Sequence, residues 1–303
     1  MSKFSSSIAS QGQLLTDSNG REMQLRRRDY RPTWNLTQTE PVAGNYYPVN
    51  AAAAIKDDEA QLTVLVDRSQ GAGSLTDGEL ELMVHRRLTQ DDSRGVGEPI
   101  DETKEVSPYY QADGYFGGHG GEHYGPGLVV RGTHTISIEP PKSAARIWRP
   151  LADQIFAKPP LLFTTADAKE FPASAASALS KPLPSNLALM TFASLREGCI
   201  LLRLAHQFGL GEDRALSSTV NVDLASLFNP NILRIKSIRE VSLTNNQNKS
   251  TILAKRREAS LWTGGDDLKA HPWRTQKALD FKTSSVVTLG PLEIKTFVLD
   301  VSM

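Results

Sequence analysis

One segment carries histidine and glutamate in a spacing that could hold a metal: His119-Gly120-Gly121-Glu122-His123 has the letters of the H-x-x-E-H zinc pattern. That chemistry needs both imidazoles and the carboxylate fixed on one helical face, and glycine costs ~1 kcal/mol per helical position relative to alanine. Gly117, Gly118, Gly120 and Gly121 flank and fill the motif, so no stable helix is expected and the segment reads as a solvated Gly-rich loop. General acid–base work needs two carboxylates facing one bond, and Asp57-Asp58, Asp91-Asp92 and Asp266-Asp267 supply adjacent pairs. Adjacency is not pairing in space: neighbours on a strand point to opposite faces, and in turns acidic residues serve backbone amides. His85, His134 and His206 fall in strand-like runs and read as sheet histidines. The patterns G-x-S-x-G, G-x-x-x-x-G-K, C-x-x-C and G-x-G-x-x-G do not occur, which removes the usual serine-nucleophile, nucleotide and dithiol readings.

The elements that would position these residues are strands. Alternation of apolar and polar residues recurs along the whole chain, while helical periodicity does not. Gln61 to Val66 is one such run, and in Glu79 to Leu88 the residues Leu80, Leu82 and Val84 share a face. Between them, Asp67 to Gly73 and Thr76-Asp77-Gly78 carry the Gly and Asp that turns require. The second half offers Leu187 to Ala193, Ile200 to Phe208, Val220 to Leu224, Ile232 to Leu243, Val286 to Leu289 and Leu292 to Val301. Strands following strands predict an all-β protein built from antiparallel sandwiches. Residues 1–165 are expected to form part of a large β-sandwich and residues 186–303 a smaller one. The Ala/Ser/Pro-rich stretch 166–185 would link them, and Ala166 to Ser180 could hold one short helix. Tyr109 to Gly127, crowded with Gly, Tyr and His, reads as a long exposed loop.

Thirty-four basic residues balance thirty-four acidic ones, so no net field draws phosphate backbones or anionic lipid, and nucleic acid is not expected as a partner. Arg26-Arg27-Arg28 lies beside Asp29 and Glu22 and reads as a solvated surface stretch without a binding role. No apolar run approaches the ~18 residues that a membrane-spanning helix needs, and no membrane is expected as a partner. Cys199, the single cysteine, sits in an apolar run and is expected to be a small buried hydrophobe. Met1 to Ser10 lacks the pattern of a secretory leader, yet Asn35-Leu36-Thr37 and Asn248-Lys249-Ser250 both fit the N-glycosylation triplet.

A series of ordered segments resembles the C-terminal half of family 38 α-mannosidases, particularly the lysosomal branch. They are Thr16 to Glu22, Asp29 to Trp34, Gly44 to Asn50, Leu62 to Gly71, Leu80 to Leu88 followed by Asp91 to Val96, Leu201 to Phe208, and Leu289 to Phe297. The resemblance runs from about Ser7 to Val301. Physically these motifs are scaffold: Asn19-Gly20 is a tight turn, Tyr46-Tyr47-Pro48 an aromatic strand end, and Gly290-Pro291 a bend between strands. Two departures stand out, the plain Ala51 to Ala54 strand and Tyr109 to Gly127, which looks like an insertion.

The resemblance implies a large sandwich of the galactose mutarotase-like supersandwich kind followed by a C-terminal β-sandwich. It implies an enzyme that hydrolyses terminal α-linked mannose with retention, using an aspartate nucleophile and a zinc ion held by His and Asp. In the family those groups lie in an N-terminal α/β domain, which has no counterpart in this sequence. The chain alone is therefore expected to be inactive, to hold no zinc ligand, and to have that N-terminal catalytic domain and mannose-containing glycans as partners, in a lysosome or vacuole. The segment resembling Asp91 to Gly95 projects toward the family's pocket edge, which makes Asp92 and Arg94 substrate-binding candidates. The Arg94 fork could bond sugar hydroxyls, or Arg94 and Asp92 could pair to stiffen the turn. Two other readings stay open: a non-catalytic carbohydrate-binding or structural module stacking sugars on Trp34, Tyr46, Tyr47 or Trp262, and an inactive truncated product.

Overall fold

The computed structural model describes residues 1–85, 129–163, 165, 177–258 and 284–302. The chain divides into two compact units, Met1–Ala144 and Ala145–Met303. Asp91, Asp92, Arg94, the His119–His123 motif, Trp262 and Asp266-Asp267 lie outside the described residues.

The first unit contains β1 (Ser2–Ser5), β2 (Gln13–Ser18), β3 (Glu22–Arg27), β4 (Tyr46–Val49), β5 (Ala52–Lys56), β6 (Gln61–Val66), β7 (Gln70–Gly73), β8 (Glu79–Met83) and β9 (His134–Glu139). They form a four-stranded sheet, β1-β8-β7-β4, and a five-stranded sheet, β3-β2-β5-β6-β9, with every pairing antiparallel. Side chains of both sheets share one core: Val49, Ala72, Leu80 and Leu82 from one, and Leu14, Ile55, Leu62, Val64 and Val66 from the other. The β2–β3 hairpin turns at Asn19 and Gly20, whose φ values of 55° and 69° are those a two-residue primed turn demands. Strand β6 is buried along its entire length, so both faces of the five-stranded sheet are covered there. Its neighbour β5 is buried from Ala52 to Ile55, which gives the plain alanine run a reason: small side chains let covering layers approach on both sides.

The second unit contains β10 (Leu187–Arg196), β11 (Cys199–His206), β12 (Val220–Asp223), β13 (Arg234–Val241), β14 (Val286–Leu289) and β15 (Ile294–Ser302). Sheet β10-β11-β15-β13 and the pair β12-β14 enclose a core of Leu202, Leu204, Val222, Leu289, Phe297 and Leu299. Both sheets are antiparallel, and the architecture is the all-β sandwich that the alternation predicts. Ala178, Leu179 and Leu183, within the stretch expected to link the domains, pack against this core, and residues 177–180 are not helical.

Two helices among the described residues are absent from the sequence reading. α1 (Pro141–Phe156) places Ala144, Trp148 and Ala152 in a buried stripe, and Pro141 occupies a first-turn position where a missing N–H costs nothing. Pro150 inside it masks the helical pattern, because proline normally ends a helix. α2 (Lys249–Glu258) is short and mostly polar, so it has little apolar period to read.

Candidate functional site

Four acidic side chains, Asp17, Asp57, Glu212 and Asp213, serve structural bonds. Asp57 Oδ1 accepts the Glu59 and Ala60 amides, both at 2.9 Å, and Oδ2 accepts Ala9 N–H at 3.1 Å. These backbone donors hold its carboxyl below the ordinary aspartate range. Asp17 is buried under the β2–β3 hairpin: Oδ1 accepts Asn50, Ala51 and Ala52 amides at 2.8, 2.7 and 3.0 Å, and Oδ2 accepts Gly20 N–H at 2.6 Å. In the second unit Arg146 meets Asp213 through two bonds of 2.9 Å, and Arg149 meets Glu212 through two of 2.6 Å. The Arg146 bonds, with the Leu216 and Ala215 amides, hold the Asp213 carboxyl far below the usual range. Asp57 and Asp213 are therefore held ionised rather than kept protonated as general acids.

Two of the described histidines, His134 and His206, are likewise committed. His206 is fully buried, with Nε2 2.8 Å from the Ser218 carbonyl and Nδ1 3.1 Å from that of Phe208. His134 bonds Gln70 Oε1 at 2.9 Å, and burial lowers its pKa. His85 is exposed just beyond β8. Among the described residues, no three His, Cys, Asp or Glu side chains converge to hold a metal ion. The zinc that the resemblance assigns to the complete enzyme therefore has no fitting ligand set among the described residues.

Several described groups suited to meeting a polyhydroxylated ligand lie on β3, β4 and the chain between them. Arg26 and Arg31 sit over the Tyr47 ring at 5.1 and 5.5 Å, and Arg27 over Tyr30 at 5.5 Å. Arg31 also donates to the Gly44 carbonyl and to Tyr47 Oη, while Asn45 and Gln38 donate to Asp29 Oδ1. Arg28 bonds Asp77 at 2.9 Å and the Ser74 carbonyl at 3.2 Å. The three consecutive arginines are thus each held by contacts within their own unit. Tyr46 donates to Glu81 at 3.0 Å, and burial followed by that bond pushes its pKa up to about 12, so it is a neutral phenol. Tyr47 is covered by two guanidinium groups and Tyr46 is tied to Glu81, while Trp34, in the chain between β3 and β4, is 59% exposed, as an aromatic that stacks on a sugar ring must be. An open depression of ≈ 540 Å³ lined by Gln11, Gln13, Arg27, Arg28 and Tyr30 is also part of the first unit. A second, of ≈ 440 Å³, lies in the other unit between Arg239, Asn245, Gln247, Asn248 and Lys255.

Asn35 and Asn248, the glycosylation candidates, are both exposed. The first lies between β3 and β4, and the second directly precedes α2, where its carbonyl accepts Ile252 N–H at 3.2 Å. Cys199 is buried in β11, as its apolar surroundings predict.

A family model described as the C-terminal domain of glycosyl hydrolases family 38 matches residues 1–94, and one described as that family's C-terminal beta sandwich domain matches residues 186–297. The chain is 41% identical to the lysosomal alpha-mannosidase of Bos taurus over 99% of its own length and 28% of that protein. It is 41% identical to that of Homo sapiens over 99% of itself and 27% of the relative, and 36% identical to the alpha-mannosidase of Canavalia ensiformis over 99% and 29%. The antiparallel units and these matches define the C-terminal β-sandwich region of a glycoside hydrolase. The chain belongs to glycosyl hydrolase family 38, its relatives are alpha-mannosidases, and it spans less than a third of their length.

Proposed function

We propose that this chain is the scaffold and pocket edge of a retaining, zinc-dependent α-mannosidase that removes terminal α-linked mannose from glycans. What supports the reading above all is identity along 99% of the chain with enzymes named for that activity. The nucleophile and the zinc ion belong to an N-terminal catalytic domain of the same enzyme, and the 303 residues alone are inactive. The carboxylates of Asp17, Asp57, Glu212 and Asp213 favour this division, because each serves backbone amides or a guanidinium. Asp92 and Arg94 line the pocket edge, and Arg94 orients sugar hydroxyls. The complete enzyme works in a lysosome or vacuole and carries N-glycans at Asn35 and Asn248.

The chain alone should not hydrolyse aryl α-mannosides with or without added zinc, while the complete enzyme should; zinc-dependent turnover by the chain alone would overturn the reading. In the complete enzyme Arg94→Ala should raise KM or lower kcat, and unchanged kinetics would remove Arg94 from the pocket. A second reading, a carbohydrate-binding module, draws on the exposed Trp34. It requires the chain alone to bind mannose-containing glycans and Trp34→Ala to abolish that binding.

A further inference from the structure

The β2–β3 turn holds the pair Asn19-Gly20, the dipeptide in which asparagine most readily loses its amide, because glycine has no side chain to shield its own nitrogen. In that reaction the Gly20 nitrogen gives up its proton and bonds to Cγ of Asn19, and ammonia leaves as a five-membered succinimide ring closes. Water then opens the ring to aspartate or isoaspartate. The turn geometry favours the pair, since Asn19 and Gly20 sit at φ 55° and 69°, a left-handed region that asparagine tolerates and glycine adopts freely. Asn19 is also exposed, so water and base reach it.

One group stands in the way of the attack. The Gly20 N–H, on the very nitrogen that must act as nucleophile, donates to Asp17 Oδ2 at 2.6 Å. Asp17 is not free to swing aside: it is 2% exposed, and its Oδ1 accepts the Asn50, Ala51 and Ala52 amides at 2.8, 2.7 and 3.0 Å. A further bond, from Arg21 N–H to the Ser18 carbonyl at 3.0 Å, holds the turn. Removing the Gly20 proton would break its bond to the Asp17 carboxylate and set a developing amide anion against that oxygen, and bonds of this kind are among the stronger ones.

We propose that Asn19 is a latent deamidation site, kept closed in the folded protein by the hold of Asp17 on the Gly20 amide. Asp17 thus has a chemical role besides its structural one. Conversion to isoaspartate would lengthen the main chain by one methylene between Asn19 and Gly20 and move the Gly20 N–H out of register with Asp17. The proposal depends on this hairpin alone and stands apart from the mannosidase reading.

The test is peptide mapping by mass spectrometry of the complete protein held at mildly alkaline pH, beside a synthetic peptide of the hairpin from Gln13 to Arg27. Conversion at Asn19 should be slower in the folded protein than in the peptide by about tenfold or more, the factor that one bond to a charged group contributes. Conversion at the peptide's rate would overturn the proposal. Asp17→Ala should remove most of the difference, while Leu80→Ala, which weakens the same core from outside the hairpin, should leave most of it. Equal acceleration by both would mean that folding in general protects the site, and would equally overturn it. Should Asp17→Ala fail to fold, amide hydrogen exchange in the unmodified protein decides. The Gly20 amide should exchange about tenfold or more slowly than in the peptide, and exchange at the peptide's rate would show that no such hold exists.

Discussion

In the first unit, the buried Asp17 gathers the amides of Asn50, Ala51, Ala52 and Gly20, whereas in the second, Glu212 and Asp213 meet Arg149 and Arg146 as forked ion pairs. Both arrangements fasten a turn to distant chain, but they fail differently. A carboxylate fed by backbone N–H groups has no charged partner to lose, and its removal strands donors that cannot move. A guanidinium pair depends on two side chains and on the ionisation of one of them. Its members also serve neighbours: Glu212 accepts Gly209 N–H at 2.8 Å, and Arg149 lies over Trp148 at 4.4 Å.

The largest separation of the two units should come from Asp17→Ala, which orphans several amides at about 1–3 kcal/mol each. A loss of about 4 kcal/mol from the first unit is expected, read by urea unfolding, with the second unit's transition unmoved. A loss below 1 kcal/mol would mean that water replaces the carboxylate. Glu212→Gln weakens the two 2.6 Å charge-assisted bonds to the Arg149 guanidinium, 4% exposed, and should cost the second unit about 3 kcal/mol. Asp213→Asn should cost about 2 kcal/mol at pH 6, less because the Arg146 side chain remains half exposed.

That third effect has a defined pH dependence. The folded-state carboxyl of Asp213 titrates below its unfolded value, so its contribution is complete above the unfolded aspartate range of ~4 and is lost only as pH falls through the lower folded value. The difference between wild type and Asp213→Asn should therefore be unchanged between pH 7 and pH 5 and shrink only in stronger acid; shrinkage already at pH 5 would break the comparison. The smallest effect is expected from Gly20→Ala, about 1 kcal/mol, because φ of 69° there suits glycine.

Several strands were legible from alternation, but β7 was not: Gln70–Gly73, read as part of a turn because of its glycines, is a strand that places Ala72 in the core. The runs Gln61 to Val66 and Val286 to Leu289 have the same limits in the structure, and Leu80 and Leu82 are buried as their alternation requires. α1 was not legible because Pro150 interrupts a pattern otherwise visible in Ala144, Trp148 and Ala152. Of the site, the turn role of Asp57 could be read from its neighbours, since its bonds with Glu59 and Ala60 are local. The Asp17 cradle and the Arg146–Asp213 fork could not, because they join residues 33–35 and 67 positions apart and no local signal encodes the meeting. The stacking role expected of Tyr47 also depended on such a meeting, with Arg26 and Arg31 closing over the ring.

The single cysteine has a practical consequence. Cys199 is 4% exposed among Leu201, Val241 and Val298, on strands that hold the second unit's larger sheet together. A thiol reagent reaches it only when that sheet opens, so in excess reagent the labelling rate clocks the opening of this one unit. With no other thiol to compete, the chain carries its own stopwatch, fitted to one half and silent about the other.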